Sequence, residues 1–198
     1  MLDGTRHMKL AAAAIVLLLG IAAAATAGAA VKDPSAMILR QSDLPGWTYE
    51  AEADLDDYLK KPLQAAGLSG RAAQYYGVSF SQQKGSLKVS GVVLTVSSPA
   101  QARKVFAITK NARDAFVRKL RTRDWMTVSV PSYGNEYRAR VSPPGNEGIA
   151  SAELIVRKNT AVWLLYVVLE RRPKPPVAEI VSDLKRFAAK QQRRVGTG

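Results

Sequence analysis

No cysteine occurs anywhere in the 198 residues. That excludes disulfides, thiolate metal sites, a thiol nucleophile and a lipidated cysteine behind an export signal. Histidine is almost as scarce, the one imidazole being His7, upstream of the hydrophobic segment near the N-terminus. A chain processed beyond that point has neither an ordinary zinc site nor a Ser-His-Asp or Cys-His arrangement. We therefore expect no metal, no cofactor and no catalytic residue. Acids are also few: 16 Asp and Glu face 29 Lys and Arg, for a net charge of +13 and an isoelectric point near 10.2. Such a surplus favours polyanionic partners. Nucleic acid is a poor candidate, because no nucleic-acid-binding motif is visible and the aromatic residues sit at core spacing instead of interleaving with the bases.

What is present begins with an export signature. Arg6 and Lys9 precede an apolar stretch from Leu10 to about Ala25, and small residues including Ala27-Gly28-Ala29 follow. This order predicts a secretory signal over residues 1–29 and an exported product, periplasmic or extracellular. Met8-Lys9 opens a more compact signal than Met1 does, so Met8 is an alternative start. The rival reading is an uncleaved anchor, since the apolar run approaches the ~20 residues that span a bilayer. Residues 30–198 then form a single α+β domain with a basic C-terminal tail.

Within that domain, Ser35–Trp47 reads as a short helix and a Pro45-Gly46 turn. Leu55–Ala66 reads as a modest helix or irregular segment, broken by Pro62. Six runs carry strand character: Tyr76–Gln82, Leu87–Val96, Trp125–Val130, Glu136–Val141, Ile149–Val156 and Ala161–Leu169. Gly91 interrupts the second and suggests a bulge. The last run is apolar on both faces, as in a central strand covered on both sides. Ser98-Pro99 opens a long helix through about Arg121. Val177, Ile180, Val181, Leu184, Phe187 and Ala188 recur at helical spacing and mark a closing amphipathic helix. The order ββ-α-ββββ-α predicts one antiparallel sheet of about six strands with helices packed on one face.

Charge is segregated along the chain. Residues 99–123 carry eight bases and one acid, and residues 171–194 carry eight bases and two acids. Residues 33–57 carry seven acids and only Arg40. Helical spacing gathers Arg103, Lys110, Arg118 and Arg121 on one flank of the long helix. The terminal helix adds Lys185, Arg186 and Lys190. If the helices lie side by side, these residues form one polyanion-binding field; the alternative is an ordinary solvated face. Glu50, Glu52, Asp54, Asp56 and Asp57 could hold Ca²⁺ but lack EF-hand spacing, and a solvated or intramolecular role is the stronger reading. Ser81-Gln82-Gln83-Lys84 and Ser182-Asp183-Leu184-Lys185 match S-x-x-K without the accompanying S-D-N or K-T-G, and so read as chance.

Leu39-Arg40-Gln41-Ser42-Asp43-Leu44-Pro45-Gly46-Trp47 resembles the L-x-x-x-D-L-P-x-G opening of uncharacterised secreted proteins and lipoproteins of high-GC bacteria. The Ser98-Pro99-Ala100 helix start, the turn Pro131-Ser132-Tyr133-Gly134-Asn135-Glu136 and the Arg157-Lys158-Asn159 turn continue that resemblance over residues 36–170. More distantly, the chain is similar to extracytoplasmic sensor domains of bacterial Ser/Thr kinases, which set helices against an antiparallel sheet around a cleft. The resemblance implies an exported α+β domain and transfers no catalytic residue. The sequence points first to a non-catalytic binding module for an anionic or amphiphilic envelope component: an anionic polymer, lipid headgroups or an envelope protein, with peripheral membrane contact. The alternatives are a carboxylate- or Ser-Lys-based envelope hydrolase and an interaction partner of an envelope complex.

Overall fold

Two β-meanders meet in the middle of one antiparallel sheet whose strand order is β1-β2-β3-β7-β6-β5-β4. The computed structural model describes residues 31–52, 57–82, 86–120, 125–171 and 173–197. The export segment and Asp54, Asp56, Lys84 and Arg121 lie outside the described residues. The first meander is β1 (Trp47–Glu52), β2 (Ala73–Gln82) and β3 (Leu87–Val96). The second is β4 (Met126–Thr127), β5 (Glu136–Ser142), β6 (Ile149–Lys158) and β7 (Ala161–Glu170). Helix α1 (Asp57–Ala65) joins β1 to β2, α2 (Pro99–Leu120) crosses from the centre to the far edge, and α3 (Val177–Thr197) closes the chain.

The expected α+β class and single antiparallel sheet are observed, with seven strands in place of about six. The extra strand is β1. Only Trp47 in it is even half-buried, so no alternation of apolar and polar residues marks it, and backbone pairing to β2 defines it. Trp125–Val130, by contrast, shortens to the two paired residues of β4. Pro62 lies inside α1 instead of breaking it.

The helices cover both faces of the sheet, not one. In β7, Trp163, Leu165 and Val167 pack with Ile180, Leu184 and Phe187 of α3, while Val162 and Leu164 pack with Ala102, Val105 and Phe106 of α2 and Leu59 and Leu63 of α1. A strand apolar on both sides needs a cover on both sides, and the chain has one long helix for each. The α2 start is as expected: Pro99 opens the helix and Ser98 Oγ accepts from the Gln101 N–H at 3.2 Å.

Gly91 marks no bulge, since pairing runs unbroken through it on both sides. Its role is close approach. A Cβ there would lie 3.3 Å from Leu165 Cδ2 and 3.8 Å from both Ile38 and Gln191, so the missing side chain admits the N-terminal segment against the sheet. A register shift lies at the sheet edge, between Tyr49 and Ala51.

Trp163 is fully buried, and its ring meets Tyr133 edge-on with centroids 6.2 Å apart. Trp163→Ala is expected to lower stability by about 3–5 kcal/mol in urea unfolding. Phe116 is only half-buried and stacks on Arg113 with 5.2 Å to the ring centroid, so Phe116→Ala should cost only about 1 kcal/mol. Equal losses would contradict this placement.

Candidate functional site: an apolar cavity and a divided basic surface

The bases singled out from the sequence fall on two opposite faces. Along α2, Arg103 is exposed with Nε 3.9 Å from Glu136, and the Lys110 amine lies 5.5 Å from the Phe106 ring centroid. Arg118 is exposed in the last turn, where positive charge suits the helix dipole. Lys185, Arg186 and Lys190 sit on α3, across the sheet. Arg186 pairs with Asp183 at 2.7 Å and stacks on Phe187, the Lys185 carbonyl accepts from Tyr133 Oη at 3.3 Å, and Lys190 donates to the Asp43 carbonyl. Because α2 and α3 cover different faces, the single positive field expected from side-by-side helices does not form.

The tail bases instead close the fold. Arg194 forks onto Asp43, Nε and Nη2 each 2.9 Å from a carboxylate oxygen, and the Arg40 N–H donates to the same carboxylate at 2.8 Å. Burial pushes the Asp43 carboxyl up, but the Arg194 hydrogen bond and charge, the Arg40 N–H and the nearby Lys190 together hold it below the usual carboxylate range. One turn along α3, Gln191 accepts from the Leu39 N–H at 3.2 Å and donates to the Met37 carbonyl at 2.5 Å.

On the face carrying α1 and α2 there is a cavity of about 270 Å³. Leu63, Leu68, Ala73 and Leu94 give it an apolar lining, and Lys60, Gln64, Ser69 and Tyr75 supply polar groups. Lys104 of α2 donates to the Ala66 carbonyl at 3.0 Å, which ties the basic helix to the end of α1 beside this cavity. No acid is among the described lining residues. The arrangement suits a ligand with an apolar part and an anionic or polar head.

A second polar centre escaped the sequence reading. Glu153 of β6 is fully buried and accepts from Arg113 of α2, from Arg140 Nε at 2.9 Å and from Arg138 Nη2 at 3.2 Å. Asp114 accepts from Arg138 at 2.7 Å and Arg140 at 2.8 Å. A lone acid in the otherwise uncharged run Ile149–Val156 was the signal available.

The acidic segment finds partners inside the protein. Glu50 pairs with Lys88 at 3.4 Å, Asp57 with Lys61 at 3.6 Å, and Glu52 accepts from Tyr76 Oη at 2.6 Å, which pushes that phenol up to about 12. Among the described residues no group of acids could hold a metal ion. Ser182 is exposed on α3, and Ser81 is half-buried at the end of β2. Among the described residues no helix is long and apolar enough to cross a membrane.

No family model and no curated protein matches the sequence. Among solved structures, the chain is similar to the extracellular domain of PknH from Mycobacterium tuberculosis, at 14% identity and a TM-score of 0.54, over 86% of this chain and 100% of that one. An uncharacterised protein of Mycobacterium smegmatis, the Rv0999 ortholog, matches at 10% identity and a TM-score of 0.37, over 82% of this chain and 96% of that one. The likeness to the PknH domain is one of fold, and it is consistent with the resemblance to kinase sensor domains.

The Asp43 clasp makes stability depend on pH with a definite sign. A carboxyl whose folded value is lowered contributes fully above its unfolded value of about 3.9, and that contribution is lost as pH falls through the folded value. Asp43→Asn should therefore cost about 1–3 kcal/mol in urea unfolding at neutral pH. The gap to wild type should close as pH is lowered below about 4. A gap that stays constant with pH would contradict the clasp.

Proposed function

We propose that this chain is an exported, non-catalytic module that binds an amphiphilic, anionic component of the cell envelope. The apolar cavity carries the reading. Its Leu63, Leu68, Ala73 and Leu94 lining offers room for part of an acyl chain or a ring, and Lys60 supplies a cation to an acidic headgroup. Arg103, Lys110 and Arg118 belong to the same face and draw a negatively charged surface toward it. Lys185, Arg186 and Lys190 drop out of the ligand-binding set, being on the other face, with Arg186 paired to Asp183 and Lys190 bound to the Asp43 carbonyl.

Export is supported by the n-, h- and small-residue regions in order, by the fold shared with an extracellular domain, and by the motifs resembling secreted proteins of high-GC bacteria. A hydrolase reading built on carboxylates or on an S-x-x-K motif needs those groups at the cavity, and its described lining holds no carboxylate and neither of the two S-x-x-K segments. A protein-partner reading needs a coherent apolar patch. The exposed Tyr49 and Met126 lie on strands at opposite edges of the sheet.

Short-chain phosphatidylglycerol, titrated calorimetrically below its micelle concentration, is expected to bind saturably. Ala73→Phe, which fills the cavity, should weaken binding at least about tenfold, the scale set by ~1.4 kcal/mol. Lys60→Glu with Arg103→Glu should weaken it and flatten its salt dependence, because screening acts on the headgroup contact. Undiminished binding by Ala73→Phe would sink the reading.

A further inference from the structure

We propose that the cavity between α1 and the first meander takes a single alkyl chain under a monoanionic head and excludes the paired chains of a bilayer lipid; this sharpens the amphiphile reading above and rests on it. The volume sets the limit. At about 270 Å³ the cavity falls just below the range of about 300–1,000 Å³ usual for small-molecule sites. An apolar cavity of about 150 Å³ holds the six carbons of benzene, so the same packing gives this one room for about eleven. One chain of that length fits, and two do not.

The lining is graded in the direction such a ligand needs. Leu63, Leu68, Ala73 and Leu94 are only 2% to 7% exposed and form the floor. They belong to the core cluster that also holds Leu59, Val105 and Phe106. Close-packed side chains therefore back the floor, and a chain that overfills the cavity has to come back out through the mouth. Gln64, Ser69, Gly70 and Tyr75 are exposed and mark that mouth. Tyr75 stands directly opposite Leu94 in the β2–β3 pairing, so rim and floor adjoin on one face of the sheet. Lys60 lies one helical turn before Gln64 on α1 and shares its flank, which brings an ammonium to the rim. It is the one cation among the described lining residues, and a head of single negative charge matches it. Burying the head would strip it of water, so the ligand enters tail first.

The test is calorimetric titration of the purified protein with alkyl carboxylates and with 1-acyl lysophosphatidylglycerols of six to fourteen carbons, each below its micelle concentration. Kd should fall about fourfold with each added methylene, the scale of ~0.8 kcal/mol per buried CH₂, and level off near about eleven carbons. Binding by either series supports the single chain, and the tighter series identifies the head. The twelve-carbon lysolipid should bind at least about tenfold more tightly than dihexanoyl phosphatidylglycerol, whose equal number of carbons is divided between two chains. Ala73→Leu, which adds three carbons to the floor, should move the break to about eight carbons. Three results would each overturn the single-chain site and leave the amphiphile reading standing: a Kd that keeps falling at the same rate through fourteen carbons, a break unmoved by Ala73→Leu, or dihexanoyl phosphatidylglycerol binding as tightly as the twelve-carbon lysolipid. Absence of saturable binding along both series would overturn both.

Discussion

A carboxylate in the middle of a sheet, out of reach of water, constrains everything packed around it. Glu153 is that group, fully buried on β6 and bound by guanidiniums from β5 and from α2. Removing one partner from a buried ion pair is far more destabilising than exchanging the whole pair for apolar residues, so the cluster acts mainly on specificity. A one-residue slip of β5 against β6 would carry Arg138 and Arg140 to the other face, among the side chains around Trp163. The ion pairs thus fix the register of the second meander. They also fix the seat of α2, the helix that links the two meanders.

Hydrogen-bonded clasps secure the remaining parts. At one end, Asp43 and Gln191 bind the N-terminal segment to α3, and Gly91 leaves the space in which they meet. At the other, Gly134 passes so near the Arg157 carbonyl that a Cβ would lie 2.5 Å from it. Beside it the Asn159 N–H, on a residue with φ of 53°, donates to Asn135 Oδ1 at 2.8 Å, and Glu136 accepts from Arg157 at 2.8 Å. The short motifs that resembled secreted proteins therefore have a structural purpose. D-L-P holds the start of the domain to its end, and the Gly134-Asn135-Glu136 turn holds the tip of the β6–β7 hairpin.

Much of the fold was legible because period-two strands and a capped helix announce themselves locally. The doubly apolar β7 even implied cover on both faces, a consequence that placing both helices on one face overlooked. The arginine cluster was illegible because Arg138 and Arg140 alternate with Tyr137, Ala139 and Val141, which reads as a solvated face. Only the tertiary position of α2 buries it. The clasps joined residues about 150 apart, beyond any local pattern. Lys190 looked like part of a binding surface for the same reason: its partner, the Asp43 carbonyl on the N-terminal segment, could not be seen from spacing.

Glu153 and its arginines act as one unit, with the face proposed to bind ligand arranged around the framework they hold. A double-mutant cycle with Arg113→Met and Glu153→Gln, followed by urea unfolding, tests this most directly. Each single change should cost about 3–5 kcal/mol, and the double mutant should recover a large part, for a coupling energy of about 2–3 kcal/mol. Losses that add within about 0.5 kcal/mol would show that α2 and the sheet are held by apolar packing alone.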